Sequence, residues 1–323
     1  MTGDLINIAL GLVFLLAGGE AMVRGASGIG LLARISPAVV GLTIVAAGTS
    51  MPELVVSLQA AANGNPGIAL GNVVGSNIFN IGIVLGLTAL VRPLRIQGNS
   101  VKFEWPVMLL ATSLLLLLSR DSLLDRVEGT FLVAGLAAFV AYAVWIARKN
   151  TSPAERGEFA DGVGTASFGR TGARAWTYNI GAVLGGGVLL AFGSDTMVRG
   201  SVGMATALGV APTVIGLTIV AAGTSTPELV TSLVAAYRGR DDIAVTNVLG
   251  SNIFNILGIA GTTALVAPVP VPAAIVARDN WWMLGACLLL LPLMRSGMRV
   301  TRVEGAVVVT LYAAYTAVLL LGS

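Results

Sequence analysis

Residues Gly41 to Glu53 read GLTIVAAGTSMPE, and Gly216 to Glu228 read GLTIVAAGTSTPE, identical at twelve of thirteen positions. Gly71 to Ile81, GNVVGSNIFNI, returns as Thr246 to Ile256, TNVLGSNIFNI, at nine of eleven positions and the same offset of 175. Two long matches at one offset identify an internal duplication. They divide the chain into a first repeat at 1–149, a polar linker at 150–175 and a second repeat at 176–323. The linker region gathers Arg148, Lys149, Glu155, Arg156, Glu158, Asp161, Arg170 and Arg174 among Ser and Gly.

Each repeat is strongly apolar. The chain has 323 residues, 55% hydrophobic and only 11% charged, with mean hydropathy +0.87. A soluble domain carries about 25% charged residues, so a soluble globular protein is excluded. Hydropathy and turn residues predict ten helices, at 4–31, 37–62, 68–91, 103–119, 126–147, 176–206, 211–237, 243–266, 279–295 and 302–321. Ten spans of about 20 residues leave no room for a large soluble domain. Met1 to Glu20 lacks the basic flank and cleavage site of a signal peptide and reads as a retained first span.

Five spans precede the linker, so the second repeat enters the membrane from the opposite side. The expected fold is therefore an all-α integral membrane protein of ten transmembrane helices in two inverted five-helix repeats, an organisation common among secondary transporters. With the N-terminus outside, the inner connections hold fifteen Lys and Arg and the outer side only Arg120, Arg126, Arg199 and Arg278. The positive-inside rule then places both termini outside. The expected location is a prokaryotic cell, or inner, membrane.

Composition narrows the chemistry. A dispersed net charge of +3 offers no nucleic-acid-binding face. Cys287 stands alone in an apolar run and can form no intrachain disulfide. There is no His, which removes the commonest proton relay and transition-metal ligand. No nucleophile and base pattern suggests an enzyme. No cofactor and no obligatory protein partner is expected beyond the lipid bilayer. Any ion site must be built from oxygen.

Glu53 and Glu228 stand mid-span in apolar helices, where a charged group costs about 2.5–3.5 kcal/mol to insert. Gly48 with Pro52, and Gly223 with Pro227, are expected to break the second and seventh spans into half-helices. A broken span frees backbone carbonyls, tolerated within a membrane only where they are buried in protein or line a wet cavity. The bland alternative is a capping box, since Ser50-x-x-Glu53 and Ser225-x-x-Glu228 have its spacing. A cap needs no charge, however, and Gln would serve. Ser76 and Asn80, with Ser251 and Asn255, lie on a polar stripe at i, i+4, i+8 that begins at Asn72 and Asn247. For the four inner residues a ligand role is preferred to interhelical hydrogen bonding; for Asn72 and Asn247 the two readings balance. Asn77 and Asn252 point about 100° away from the stripe and read as structural. Glu20 with Arg24 and Asp195 with Arg199 read as self-neutralising i,i+4 pairs. Two carboxylates with Thr49, Thr224, Ser50, Ser225 and free carbonyls make an all-oxygen cage suited to a hard cation such as Ca²⁺.

With these motifs the chain resembles the sodium/calcium exchanger branch of the cation/calcium antiporters, in its compact prokaryotic form, over nearly its whole length. The resemblance implies a calcium site at Glu53 and Glu228 with oxygen from Thr49 and Thr224. It implies sodium sites at Ala46, Ser50, Ser76, Ala221, Ser225 and Ser251, with Asn80 and Asn255 near the centre. It further implies that the first and sixth helices slide as a pair against an eight-helix core. Some relatives, potassium-dependent ones included, carry Asp where this chain has Asn255, which speaks against potassium co-transport. The implied function is exchange of Ca²⁺ for Na⁺ by alternating access. Three Na⁺ against two carboxylates would leave a net charge on the carrier and make exchange electrogenic. The alternative is a Ca²⁺/H⁺ antiporter on the same scaffold, although proton-coupled relatives carry a GNA-x-E pattern in place of GTS-x-PE. A passive cation channel ranks below both.

Overall fold

The computed structural model of the chain describes residues 2–33, 35–62, 66–150, 172–208 and 221–321. Residues 151–171 of the expected linker lie outside them, as do residues 209–220, which include the first five positions of the second GLTIVAAGTS motif.

Helix follows the apolar pattern. In order come α1 (Thr2–Ala33), α2 (Pro37–Val40), α3 (Ala46–Thr49), α4 (Met51–Ala62), α5 (Pro66–Phe79), α6 (Gly86–Val91), α7 (Trp105–Leu118) and α8 (Arg126–Asn150). After the linker come α9 (Ala173–Ala207), α10 (Ala221–Thr224), α11 (Thr226–Tyr237), α12 (Asp241–Ile253), α13 (Gly261–Val266), α14 (Asn280–Arg295) and α15 (Arg302–Leu321). Several of these are joined without a break by wider π-helical turns, at Gly41–Val45, Asn80–Leu85, Ser100–Glu104, Phe254–Ala260 and Ile275–Asp279. Among the described residues seven helices are long and apolar enough to cross a membrane, or eight if α2 to α4 count as one interrupted span. The two most enclosed are Ile68–Val91 and Asp241–Val266, 78% and 94% buried, whereas the others lie at 33% or less. Both enclosed spans carry the GSNIFN motif, so the polar stripe sits in the protein interior.

The chain forms two compact units, and each draws on both sequence repeats. One comprises Met1–Thr49 and Val140–Asn247, the other Ser50–Phe139 and Val248–Ser323. In the first, α1 and α9 run antiparallel along most of their length. Glycines recur at seven-residue intervals on both, at Gly11, Gly18 and Gly25 and at Gly186, Gly193 and Gly200. A Cβ added to Gly18 would lie 2.8 Å from the Leu190 nitrogen and 2.9 Å from the Gly186 oxygen, so backbone meets backbone. Within lipid, where apolar burial drives little association, such close van der Waals approach is what holds helices together. Glu20 is not a self-contained pair with Arg24. It also accepts from Arg238, at 3.1 Å from Nε and 2.5 Å from Nη2, and so ties α1 to the end of α11. Asp195 does pair with Arg199.

In the second unit, α5 and α6 with their π turn pack beside α14 and α15. Two short strand pairs close its loops: β1 (Leu94–Arg95) pairs antiparallel with β4 (Arg299–Val300), and β2 (Leu123–Leu124) with β3 (Val269–Pro270). Each joins a segment of the first repeat to one of the second.

Candidate ion-binding site

Both repeated motifs lie at helix interruptions. The first break falls at Ser50, between α3 and α4, and the second at Ser225, between α10 and α11. Pro52 and Pro227 occupy the second position of the resumed helix, where a missing N–H has no intrahelical partner to lose. The glycines play a different part from the one expected. Gly48 and Gly223 remain helical, and their lack of a side chain lets neighbours approach: a Cβ on Gly48 would lie 2.8 Å from Met22 Cε, and one on Gly223 would collide with Val198. The Gly223 carbonyl accepts from the Ser194 hydroxyl. The Ser225 side chain itself makes no capping hydrogen bond to α11.

In the unit that contains α1 and α9 lie Ala46, Thr49, Thr224, Ser225, Glu228 and Asn247. Glu228, Thr49 and Ser225 are fully buried. The Thr49 hydroxyl is 3.1 Å from the Val45 carbonyl, 3.3 Å from that of Ala46 and 3.4 Å from Asn247 Oδ1. The Asn247 amide donates to Ser232 Oγ at 3.0 Å and to the Glu228 carbonyl at 3.4 Å. Thr231, one turn beyond Glu228, has a buried hydroxyl without a hydrogen-bond partner. Ala221 contributes only backbone to this description.

The other unit holds Ser50, Glu53, Ser76, Asn80, Ser251 and Asn255, all buried. Asn72 repeats the pattern of Asn247, donating to Ser57 Oγ at 3.0 Å and to the Glu53 carbonyl at 3.2 Å. The two central asparagines are held reciprocally. Asn80 Nδ2 donates to Asn252 Oδ1 at 3.1 Å, and Asn255 Nδ2 donates to Asn77 Oδ1 at 3.2 Å. With their amide nitrogens so engaged, Asn80 Oδ1 and Asn255 Oδ1 are left buried without a donor, as is Ser251 Oγ. A buried acceptor left unmet costs about 1–3 kcal/mol, and a cation would offset that cost at each. The set is all oxygen, and among the described residues no three His, Cys, Asp or Glu converge as a transition-metal site would require.

Asn77 and Asn252 thus do more than fill space: they aim the side chains beside them. Ser57 and Ser232, each four residues after a Glu, do the same for Asn72 and Asn247. Their recurrence at the offset of 175 was the available sign. Asn252→Ala should leave the Asn80 amide unsatisfied and lower stability by about 1–3 kcal/mol, read as an earlier thermal transition of the detergent-solubilised protein. An unchanged transition would show that the amide finds another acceptor.

The model of the family described as "Sodium/calcium exchanger protein" matches residues 4–145 and 178–321, one block on each side of the linker. The chain belongs to the sodium/calcium exchanger family. It is a multi-pass membrane antiporter of the cation/Ca²⁺ class. It is 39% identical over 319 residues to CaxA of Alkalimonas amylolytica, covering 96% of each chain. It is 32% identical over 346 residues to the sodium/calcium exchanger MaX1 of Methanosarcina acetivorans, covering 99% of each. Among solved structures, the sodium-calcium exchanger NCX_Mj soaked with 10 mM Na⁺ and zero Ca²⁺ superposes with TM-score 0.82 at 28% identity, covering 98% of both chains.

Proposed function

We propose that the chain exchanges Ca²⁺ for Na⁺ by alternating access, with Glu53 and Glu228 as the charged ligands. Thr49, Thr224, Ser50, Ser225, Ser76, Ser251, Asn80, Asn255 and the carbonyls of Ala46 and Ala221 complete the oxygen set. The observation that carries this reading is the reciprocal asparagine pairing, which leaves Asn80 Oδ1 and Asn255 Oδ1 buried as acceptors alone. Acceptors without donors suit a hard cation and do nothing for an anion. The naming of MaX1 and of NCX_Mj as sodium/calcium exchangers supports sodium as the counter-ion.

The reading includes ten spans in two inverted repeats, 1–149 and 176–323, joined at 150–175. The exchange of partners in β1–β4 and β2–β3, and in the asparagine pairs, supports a two-fold relation between the repeats. Both termini are assigned outside by the fifteen-to-four charge count, and an inner-membrane location accords with the relative YrbG of Escherichia coli, named an inner membrane protein. Two carboxylates neutralise one Ca²⁺, whereas three Na⁺ would leave +1. Exchange then responds to voltage at about 2.3 kcal/mol per 100 mV per charge.

Calcium uptake into proteoliposomes tests this. A sodium gradient directed outward should drive uptake, an inside-positive potential should accelerate it, and a pH gradient alone should not. Uptake driven by protons and indifferent to sodium would replace this reading with Ca²⁺/H⁺ antiport. Flux persisting with neither counter-ion would replace both with a channel.

A further inference from the structure

A cleft of about 570 Å³ opens in the second unit between the span of Ile78 to Gly82, α14 and α15. Its walls are apolar and aromatic, with Trp281, Trp282, Tyr312 and Tyr315 among them, and Trp281 is 53% exposed. Arg278 lies in its lining, within the π-helical turn that leads into α14. The Arg278 guanidinium engages Asp279 through Nε at 2.8 Å and Nη2 at 3.5 Å, which leaves Nη1 for another acceptor.

At the matching positions of the first repeat Leu110 stands for Gly285 and Phe103 for Arg278. There Phe103 stacks on Phe139 at 5.9 Å and Leu110 is exposed. In the second repeat a Cβ on Gly285 would meet nothing within 4 Å. The cleft thus sets an open position at Gly285 on the same helical segment as an arginine.

We propose that the cleft binds one bilayer phospholipid, with an acyl chain along Gly285 and the phosphodiester on Arg278. Aromatic side chains of this kind favour headgroup depth, and a guanidinium presents paired donors to phosphate. The Arg278–Asp279 pair carries no net charge, which matches a zwitterionic headgroup better than an anionic one. The occupant is accordingly phosphatidylethanolamine.

Native mass spectrometry of the detergent-purified full chain, titrated with palmitoyl-oleoyl phosphatidylethanolamine and separately with the phosphatidylglycerol of the same chains, reads the outcome. One phosphatidylethanolamine should be retained by the unsubstituted protein. Gly285→Leu, which installs the residue the first repeat already carries, should weaken retention at least tenfold. Arg278→Gln, at the mouth and outside the packed interior, should weaken it several-fold. Phosphatidylglycerol should bind at least tenfold more weakly. Equal retention by Gly285→Leu and the unsubstituted protein overturns the site, and should that variant not fold, equal retention by Arg278→Gln does so. Phosphatidylglycerol bound as tightly as phosphatidylethanolamine overturns the choice of occupant.

Discussion

Glu53→Gln and Glu228→Gln should each abolish sodium-driven calcium uptake. Gln keeps the volume and one acceptor oxygen of the side chain, so the substitution removes charge and little else. Both carboxylates are buried, at 1% and 0% exposure, in spans otherwise built of apolar residues. A divalent ion drawn from water into such a place is held against its hydration by formal negative charge and by fixed oxygens. Truncating one partner of a buried, hydrogen-bonded charge pair costs about 2–5 kcal/mol, equivalent to a loss of about 30-fold to several thousandfold in affinity. Radioactive calcium uptake under a fixed sodium gradient measures it. A helix cap would answer differently: Gln can serve at that position, so uptake would fall less than threefold, and any effect would fall on thermal stability. That outcome at either residue would remove it from the ion site.

The second large effect concerns stability. Gly186→Leu should lower it by about 3 kcal/mol, the upper end of what overpacking a tight interior costs. A Cβ at Gly186 would lie 2.7 Å from the Met22 nitrogen and 2.9 Å from the Gly18 oxygen. The obstacle is main chain, which no rotamer change can remove, so α1 and α9 would have to separate. The control lies on the same helix. Gly181 and Gly185 have nothing within 4 Å of an added Cβ, and Leu at either should leave stability nearly unchanged. The thermal transition of the purified protein, followed by loss of the monodisperse peak in size-exclusion chromatography, separates the two cases. Equal transitions for Gly186→Leu and Gly185→Leu would show that the helices have room to spare.

Much of the architecture was legible in the residues alone. Period and hydropathy placed each described helix to within about a turn, because uninterrupted apolar stretches admit little else in lipid. The GTS-x-PE motifs located both interruptions, but the local chemistry of Gly misled on their position. A glycine can free the backbone or admit a neighbour, and only the identity of that neighbour, Met22 or Val198, decides between them. The polar stripe singled out Asn80 and Asn255, which lie buried with one amide oxygen each unmet. It left Asn77 and Asn252 as structural, which their hydrogen bonds to Asn255 and Asn80 fit, but it did not name those partners, because helical phase says which way a side chain leaves its own axis and nothing about what crosses from another span. Glu20 was legible as an ion-pair partner of Arg24 but not of Arg238, which is 218 positions away. The aromatic cleft had no motif; what marked it, once geometry was known, were Trp281, Trp282 and Gly285 where the first repeat has Pro106, Val107 and Leu110.

The exchange of strands β1–β4 and β2–β3 bears on where such a protein could have come from. A polypeptide ending before the linker would carry β1 and β2 with bare edges, and its Asn77 and Asn80 would lack their counterparts across the interface. Such a fragment could complete those pairs only by docking with another copy. An ancestral gene encoding one repeat would therefore have specified a dimer from the outset, and fusion would have added a tether to an assembly that already existed.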